Sequence, residues 1–588
     1  MENAVYKHRL DALRGELDKT GVDGFIVPRA DEYQGEYVPA SSDRLRFLTG
    51  FTGSAGYAVA MKNFAGVFSD GRYTIQLKQQ IDPALFETGD STKTTIADWV
   101  TAKMPDGAVI GYDPRLHTPQ EIKRLAEKGL SLRALERNPL DAIWADRPEA
   151  PASTVESFPL IWAGQSVAEK LDAAAQELAK QGAEAAIITL PDSIAWLLNV
   201  RANDIPHIPV ALSNAILKSD GTLGWFIDEK RVPDAVRETF GNRASILPPE
   251  TLEREIAKFK GAKILVDGRR TSAWFFDLLK AEGIEVIDAK DPIIALKARK
   301  NDAEKAAMRA AHIRDGAAVT KFLKWLSEAG ASGTLTELDV EAKLESFRRE
   351  APEYRDSSFD TIAGYGPNGA IVHYRATQET NARIMPGSLL LVDSGAQYAD
   401  GTTDITRTVA IGTPTKEMKE RFTLVLKGHI ALASARFPAG TTGAQLDALA
   451  RAPLWREGLD FAHGTGHGVG CYLSVHEEAA SISPRGHDAL EAGMIISNEP
   501  GYYEEGAYGI RTENLILVQE DGVCAATGKR MLSFETLTFA PYDPALIVPE
   551  MLDPAELAWL AAYNRKTAEL LAPLLDGATK QWLLNSIR

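Results

Sequence analysis

Leu10-Asp11-Ala12 returns later in the chain as Leu171-Asp172-Ala173. At the same offset Glu16-Leu17 returns as Glu177-Leu178, Lys19 as Lys180, Gly21 as Gly182 and Ile26 as Ile187. In the first copy Leu10, Leu13 and Leu17 recur at helical spacing, Gly21 stops the helix, and Phe25-Ile26-Val27 forms an apolar strand ending at Pro28. A helix, a glycine and a strand repeated at fixed spacing constrain the chain to two copies of one α/β domain. The second copy adds Ser166 and Glu169 at capping-box spacing. A polar, proline-containing connector, Asn138-Pro139 to Pro151-Ala152-Ser153-Thr154, separates them. We therefore expect α/β domains over residues 1–155 and 156–295, and a third domain over 296–588, since a chain of 588 residues is too long for one core. From Leu296-Lys297-Ala298-Arg299-Lys300 the texture becomes Ala-, Lys- and Arg-rich, which predicts one long helical stretch ending near Leu326.

A net charge of −16 argues against nucleic acid or an anionic membrane as partner, because phosphate binding needs basic patches. No apolar run of membrane-spanning length occurs, and Met1 to Arg9 lacks the apolar core of a signal peptide. The two cysteines, Cys471 and Cys524, stand apart from any metal-type pair spacing, which fits a reducing compartment. A cytoplasmic protein is expected.

The chemistry concentrates between Leu389 and Asn514. Leu389-Leu390-Leu391-Val392-Asp393 reads as a strand ending in a carboxylate. Ala396 to Gly401 then turns the chain into the threonine-rich strand Thr402-Thr403-Asp404-Ile405-Thr406-Arg407-Thr408-Val409. Facing positions on antiparallel strands lie roughly 4.5–5.5 Å apart at Cβ, so Asp393 and Asp404 would share one space and repel unless a cation lies between them. Asp393 alone would pass for a strand-end turn residue; Asp404 is disfavoured within a strand unless something uses it. His463-Gly464-Thr465-Gly466-His467-Gly468-Val469-Gly470 places imidazoles on a backbone whose glycines tolerate dihedrals other residues avoid. It lacks the Gly-Lys-Ser/Thr ending and the Gly-x-Gly-x-x-Gly pattern of nucleotide cradles. Glu499 follows the apolar Met494-Ile495-Ile496, and Glu513 precedes the strand Leu515-Ile516-Leu517-Val518. Asp393, Asp404, His467, Glu499 and Glu513 are too many ligands for one catalytic zinc with an open position. They suit two divalent ions that share bridging carboxylates. Hard oxygens with one imidazole favour manganese, although zinc or cobalt would also bind.

These five elements, in this order, resemble the metallopeptidases of the pita-bread fold, and most closely the long three-domain cytosolic aminopeptidase P family. The resemblance extends to Asp31-Glu32-Tyr33-Gln34-Gly35-Glu36-Tyr37-Val38-Pro39, Phe51-Thr52-Gly53-Ser54-Ala55-Gly56 and Asp204-Ile205-Pro206-His207-Ile208-Pro209-Val210. It implies an α/β (α+β) architecture of two related creatinase-type N-terminal domains followed by a pita-bread catalytic domain. It also implies a homodimer acting on peptides with N-terminal Xaa-Pro, whose cleft entrance the second domain and Asp204 to Pro209 help to line. By the same resemblance His467 binds metal and His463 stands beside it near substrate. His373 and His476, each of which alone reads as a half-buried structural histidine, would hydrogen-bond the scissile carbonyl and the proline region. Arg511, two residues before Glu513 and so expected on the same strand face, would anchor a ligand carboxylate; the resemblance adds Tyr503. After His476-Glu477 the family tends to continue Gly-Pro, whereas this chain has Glu478-Ala479, which bears on local loop shape. Cys471 is most simply a packing residue.

The expected reaction is release of an N-terminal residue that precedes proline, by a metal-bridging hydroxide generated at neutral pH, with Glu499 carrying a proton to the departing nitrogen. A prolidase restricted to dipeptides, and a non-catalytic peptide- or protein-binding module that has lost ligands, are the alternatives. Beyond the site, Asp553-Pro554-Ala555-Glu556 reads as a capped helix start within a C-terminal helical extension from about 540 to 588. Leu557, Leu560, Tyr563 and Leu571 would form its contact face.

Overall fold

The computed structural model describes residues 2–104 and 107–587. The opening helix, Glu2–Thr20, buries Leu10, Leu13 and Leu17 as one stripe. It leads into β1 (Gly24–Pro28), which is followed by β2 (Tyr57–Met61), β3 (Ala65–Ser69), β4 (Glu87–Asp90), β5 (Val109–Tyr112) and β6 (Ser131–Ala134). These make one sheet in the order β4-β3-β2-β1-β5-β6, with β1 antiparallel to β2 and parallel to β5. The repeat behaves alike. The helix Val167–Lys180, whose capping box joins Ser166 and Glu169, leads into β7 (Ala185–Ile188). With β8 (Asn214–Lys218), β9 (Leu223–Phe226), β10 (Ala244–Leu247), β11 (Lys263–Val266) and β12 (Glu285–Asp288) it forms the order β10-β9-β8-β7-β11-β12. Here too the lead strand is antiparallel to one neighbour and parallel to the other. Both lead strands are buried almost throughout, which is why they read as apolar runs rather than as alternating sequence.

Both sheets belong to one compact unit, residues 1–160 and 165–294; residues 161–164 and 295–588 form the other. The long helix expected from Leu296 is in fact two, Pro292–Ala298 and Asp302–Ala329. The break is at Asn301, whose side chain accepts from Ala303 N and Glu304 N at 3.0 Å each and so competes with continuation of the first helix.

In the second unit β13 (Ile362–Tyr365), β14 (Ser388–Ser394) and β15 (Ile405–Ile411) form a sheet in chain order. β16 (Arg436–Pro438), β17 (Gly466–Gly468), β18 (Glu477–Ile482) and β19 (Ile495–Asn498) follow. The hairpin β20 (Gly501–Glu504) and β21 (Tyr508–Arg511) precedes β22 (Asn514–Val523) and β23 (Arg530–Thr536). A six-stranded sheet then runs β16-β23-β22-β19-β17-β18. Near the end of the chain Asp553 caps the helix Pro554–Leu571 as expected. Its buried face is Tyr563, Thr567 and Leu571, at four-residue spacing, whereas Leu557 in the first turn is 41% exposed. Tyr563 accepts from Arg407 Nη2 at 2.9 Å, tying this helix to β15. Among the described residues no helix is long and apolar enough to cross a membrane.

Candidate metal centre

The five donors come from strands of two sheets of the second unit and from residues that flank such strands. Asp393 is the next-to-last residue of β14, where its register partner on β15 is Thr406 rather than Asp404. Asp404 lies one position before β15, outside the strand in which the sequence places it, because residues 396–402 pair in a separate small sheet with Tyr354–Ser357. His467 is the middle residue of β17, Glu499 follows β19, and Glu513 precedes β22. Asp404, His467 and Glu513 present ligand atoms that all lie within 4.8 Å of one another.

Several features of this space suit a cation. The His467 Nδ1 lies 2.9 Å from the Gly468 carbonyl, which can only accept, so Nδ1 carries the proton. Its Nε2 faces Asp404 Oδ2 at 3.5 Å and Glu499 Oε1 at 3.4 Å. Asp393 Oδ1 and Asp404 Oδ1 are buried without a hydrogen-bond partner. Burial, opposed by Arg511 and reinforced by the charge of Asp404, pushes Asp393 up. Burial pushes Glu513 well above the carboxylate range, and the charges of Asp404, Asp393 and Glu499 push the same way. Glu499 is raised to about 7 by burial, with the charges of Asp404 and Asp393 raising it and those of His467 and Arg511 opposing. For His467 burial acts downward, but the bond to Asp404 and the charge of Glu499 prevail and lift it to about 9. Three buried carboxylates and a half-buried fourth, an imidazole lone pair aimed between two of them and two orphaned oxygens fit divalent cations with oxygen and nitrogen ligands.

Without metal, protons take part of that role, and stability acquires a pH dependence. The raised pKa of His467 adds stability that is complete below 6.5 and lost as pH rises through about 9. The raised pKa of Glu499 costs nothing below 4.5 and its full amount above about 7. Both effects have one sign, so the thermal midpoint of chelator-treated protein is expected to fall by several degrees from about pH 5 to about pH 9. Added manganese should restore most at the alkaline end. A flat profile in differential scanning fluorimetry would contradict this.

Arg511 stands behind the cluster and is 1% exposed. It donates to Asp393 Oδ2 from Nε at 3.1 Å and Nη2 at 2.7 Å, and to Tyr503 Oη from Nη1 at 2.6 Å. The Tyr503 hydroxyl in turn donates to His463 Nε2 at 2.7 Å, while His463 Nδ1 donates to the Gly464 carbonyl at 2.8 Å. Arg511 and Glu513 are not on one strand: β21 ends at Arg511 and β22 begins at Asn514, so the two-residue alternation does not link them. Their connection runs through Thr406, whose hydroxyl donates to Glu513 Oε2 at 2.7 Å and accepts from Arg511 Nε at 3.3 Å. The His476 ring stands edge-on to His467, with centroids 4.3 Å apart. His373 follows the turn Gly366–Ala370, and the carbonyl of its neighbour Val372 accepts from Arg511 Nη2 at 3.3 Å.

Thr406, Ser497 and Arg407 escape a reading by residue type. Ser497 Oγ donates to Glu499 Oε1 at 3.0 Å and accepts from His467 N at 2.9 Å; its spacing of two before Glu499 was the available signal. Arg407 holds the Glu513 carbonyl through Nη1 at 2.7 Å. Residues 478–480 bulge from β18 opposite β17, with Ala479 at a φ of 79°, which proline cannot adopt. Glu478-Ala479 thus gives this turn a shape that Gly-Pro would not.

The glycines around His467 serve close approach, not unusual dihedrals: Gly464, Gly466, Gly468 and Gly470 all avoid positive φ. A Cβ on Gly466 would stand 1.9 Å from the Ser497 carbonyl oxygen. Gly466→Ala must therefore push β17 from β19 and is expected to cost about 1–3 kcal/mol or more. Urea unfolding with manganese titration should show weakened metal binding as well; unchanged values of both would refute this account of the spacing.

Four family profiles match the chain. The creatinase/prolidase N-terminal domain matches residues 9–138 and, in a second version, 146–304. Metallopeptidase family M24 matches 306–520, and the C-terminal region of peptidase M24 matches 530–588. Curated relatives include the probable Xaa-Pro aminopeptidase P of Paracoccidioides brasiliensis (strain Pb03), 39% identical over 99% of each chain. That of Aspergillus niger is 39% identical over 99% of this chain and 98% of its own. Among solved structures, an X-prolyl aminopeptidase from Caenorhabditis elegans, described as a cytosolic enzyme with a di-nuclear active site, superposes with a TM-score of 0.93. The two are 32% identical, over 99% of each chain. The prolidase of Pyrococcus horikoshii, 23% identical with a TM-score of 0.51, covers 64% of this chain and 99% of its own and shares the fold.

Proposed function

Because the chain belongs to the Xaa-Pro aminopeptidase P family within metallopeptidase family M24, we propose that it releases the N-terminal residue from peptides with proline second. Its architecture is two creatinase-type N-terminal domains followed by a pita-bread domain. The observation that carries the reading is the donor cluster: Asp404, His467 and Glu513 offer ligand atoms within 4.8 Å of one another, and Glu499 Oε1 lies 3.4 Å from His467 Nε2. A binding module that had lost catalysis would have no use for it.

Asp404, Asp393, Glu513, His467 and Glu499 would hold two divalent ions, manganese fitting this donor set best. Asp404, Asp393 and Glu513 would give them oxygen ligands and His467 a nitrogen ligand. Bound there, the ions would supply Lewis acidity and a water acidic enough to attack at neutral pH. Glu499, whose Oε1 lies 3.4 Å from His467 Nε2 and accepts from Ser497 Oγ at 3.0 Å, is the residue we assign to pass a proton from water to the leaving proline nitrogen. Arg511 opposes the upward push of burial on Asp393 and orients its carboxyl, and Tyr503 transmits that placement to His463. His373 and His476 would supply hydrogen bonds to the substrate's carbonyl and proline region, with His463 standing beside the metal donors near the substrate. An Xaa-Pro bond has no N–H, so a site reading carbonyls and the proline ring loses nothing to its absence. The C. elegans neighbour, described as cytosolic, supports a cytoplasmic enzyme. The homodimer expected from the resemblance is tested by sedimentation equilibrium.

The deciding experiment offers an Xaa-Pro dipeptide and an Xaa-Pro-Yaa tripeptide to metal-stripped protein, with and without manganese. Metal-dependent cleavage of the tripeptide with little action on the dipeptide supports the proposal. Dipeptide-only cleavage would make it a prolidase, and no turnover of either with any divalent metal would sink the enzyme reading.

A further inference from the structure

The helix Glu337–Arg348 is capped by Thr336, which puts Glu337 in its first turn. Glu337 is fully buried. Its Oε1 accepts from Tyr365 N at 2.7 Å and Asn368 Nδ2 at 3.0 Å. Its Oε2 accepts from Tyr374 Oη at 2.8 Å and Ala382 N at 2.8 Å, and lies 3.1 Å from Asn368 Nδ2. Tyr365 N, Ala382 N and Asn368 Nδ2 can only donate, so they call for acceptor oxygens; burial raises the Glu337 pKa, and these bonds with that of Tyr374 oppose the rise and favour the charged form. The helix N-terminus favours that charge. Asn368 Nδ2 also donates to Tyr374 Oη at 2.9 Å, which closes the ring of contacts.

All four partners lie between Tyr365 and Ala382, the stretch that contains His373. Both neighbours of His373 are thereby held. Val372 presents its carbonyl to Arg511 Nη2 at 3.3 Å, on the guanidinium that grips Asp393, and Tyr374 is held by Glu337. One clamp thus ties His373 to the metal donors, and the other ties it to a helix remote from them in sequence.

We propose that Glu337 is a positioning residue for the reaction: by gathering Tyr365, Asn368, Tyr374 and Ala382 onto one carboxylate, it sets where His373 stands relative to Arg511 and Asp393. This rests on the reading of His373 as a substrate-binding group. Glutamine cannot replace Glu337, because either orientation of its amide turns an NH2 toward groups that already donate. Aspartate is one methylene too short to reach the same four.

The test is a double-mutant cycle on the full chain saturated with manganese, read as kcat and KM for an Xaa-Pro-Yaa tripeptide, with metal stoichiometry and thermal midpoint measured alongside. Glu337→Gln is expected to lower kcat/KM by about 10- to 100-fold. Tyr374→Phe, which removes one donor and leaves the other three, should lower it less. In a His373→Ala background both should add less than about threefold, since the group they place is gone. Equal fold-losses with and without His373 would overturn the proposal and leave Glu337 a support of the fold. If His373→Ala alone leaves kcat/KM unchanged, the role given to His373 falls, and this proposal with it. Should Glu337→Gln fail to fold, Tyr374→Phe alone decides by the same comparison.

Discussion

Glu513→Gln is expected to lower manganese-dependent hydrolysis by at least about 10³-fold, matching the several kcal/mol a metal centre supplies, while making the metal-free protein more stable. Glu513 is 1% exposed. Burial and the charges of Asp404, Asp393 and Glu499 push its pKa well above the carboxylate range, so ionising it in the metal-free protein is costly. Glutamine keeps the shape and can still accept from Thr406, which now bonds Glu513 Oε2 at 2.7 Å, but removes the charge. The two effects separate the roles: chemistry needs the carboxylate, and the metal-free fold is burdened by it. Hydrolysis at saturating manganese and thermal unfolding of chelator-treated protein at about pH 8 measure them. Retained activity would remove Glu513 from the proposed ligand set. A metal-free variant no more stable than the parent would mean that the cluster's charge is already neutralised by protons.

Arg511→Met should be the most damaging change to stability. It removes both donors to Asp393 Oδ2, the donor to Tyr503 and the one to the Val372 carbonyl, all from a guanidinium that is itself buried. Breaking a buried pair from one side typically costs about 3–5 kcal/mol, because the remaining charge is left uncompensated. Metal on Asp393 would offset part of that loss, so the deficit should be larger in chelator-treated than in manganese-saturated protein. Hydrolysis should fall about 10²-fold even when metal is saturating, because Asp393, Tyr503 and Val372 all lose their anchor. Equal destabilisation with and without metal would show that Arg511 serves packing rather than the charge of Asp393.

The parts of the molecule legible in the sequence are those decided by neighbours along the chain. The repeated helix, glycine and strand and the capping boxes at Ser166 and Asp553 follow from local spacing, whereas the break at Asn301 in the stretch from Leu296 escapes such a reading. The chemical types of Asp393, Asp404, His467, Glu499 and Glu513 are also local facts, since no other side chains would serve hard divalent ions so well. The repeat even implies its sheet order, because two copies of one local pattern repeat one topology.

What the tertiary structure decided is pairing across distance. Asp393 faces Thr406 because register depends on where both strands begin. Arg511 reaches Asp393 from another strand, and Glu513 is reached through Thr406. Gly466 is required by a carbonyl from β19 rather than by its own dihedrals. Glu337, an unremarkable residue at a helix start, becomes a hub only when Tyr365 to Ala382 folds over it. Sequence by itself determined which groups this chain has and which local elements carry them. Only the fold decided which groups meet, because a hydrogen bond or a shared charge depends on separation in space, and chain distance says little about that once strands from different parts of the chain pair.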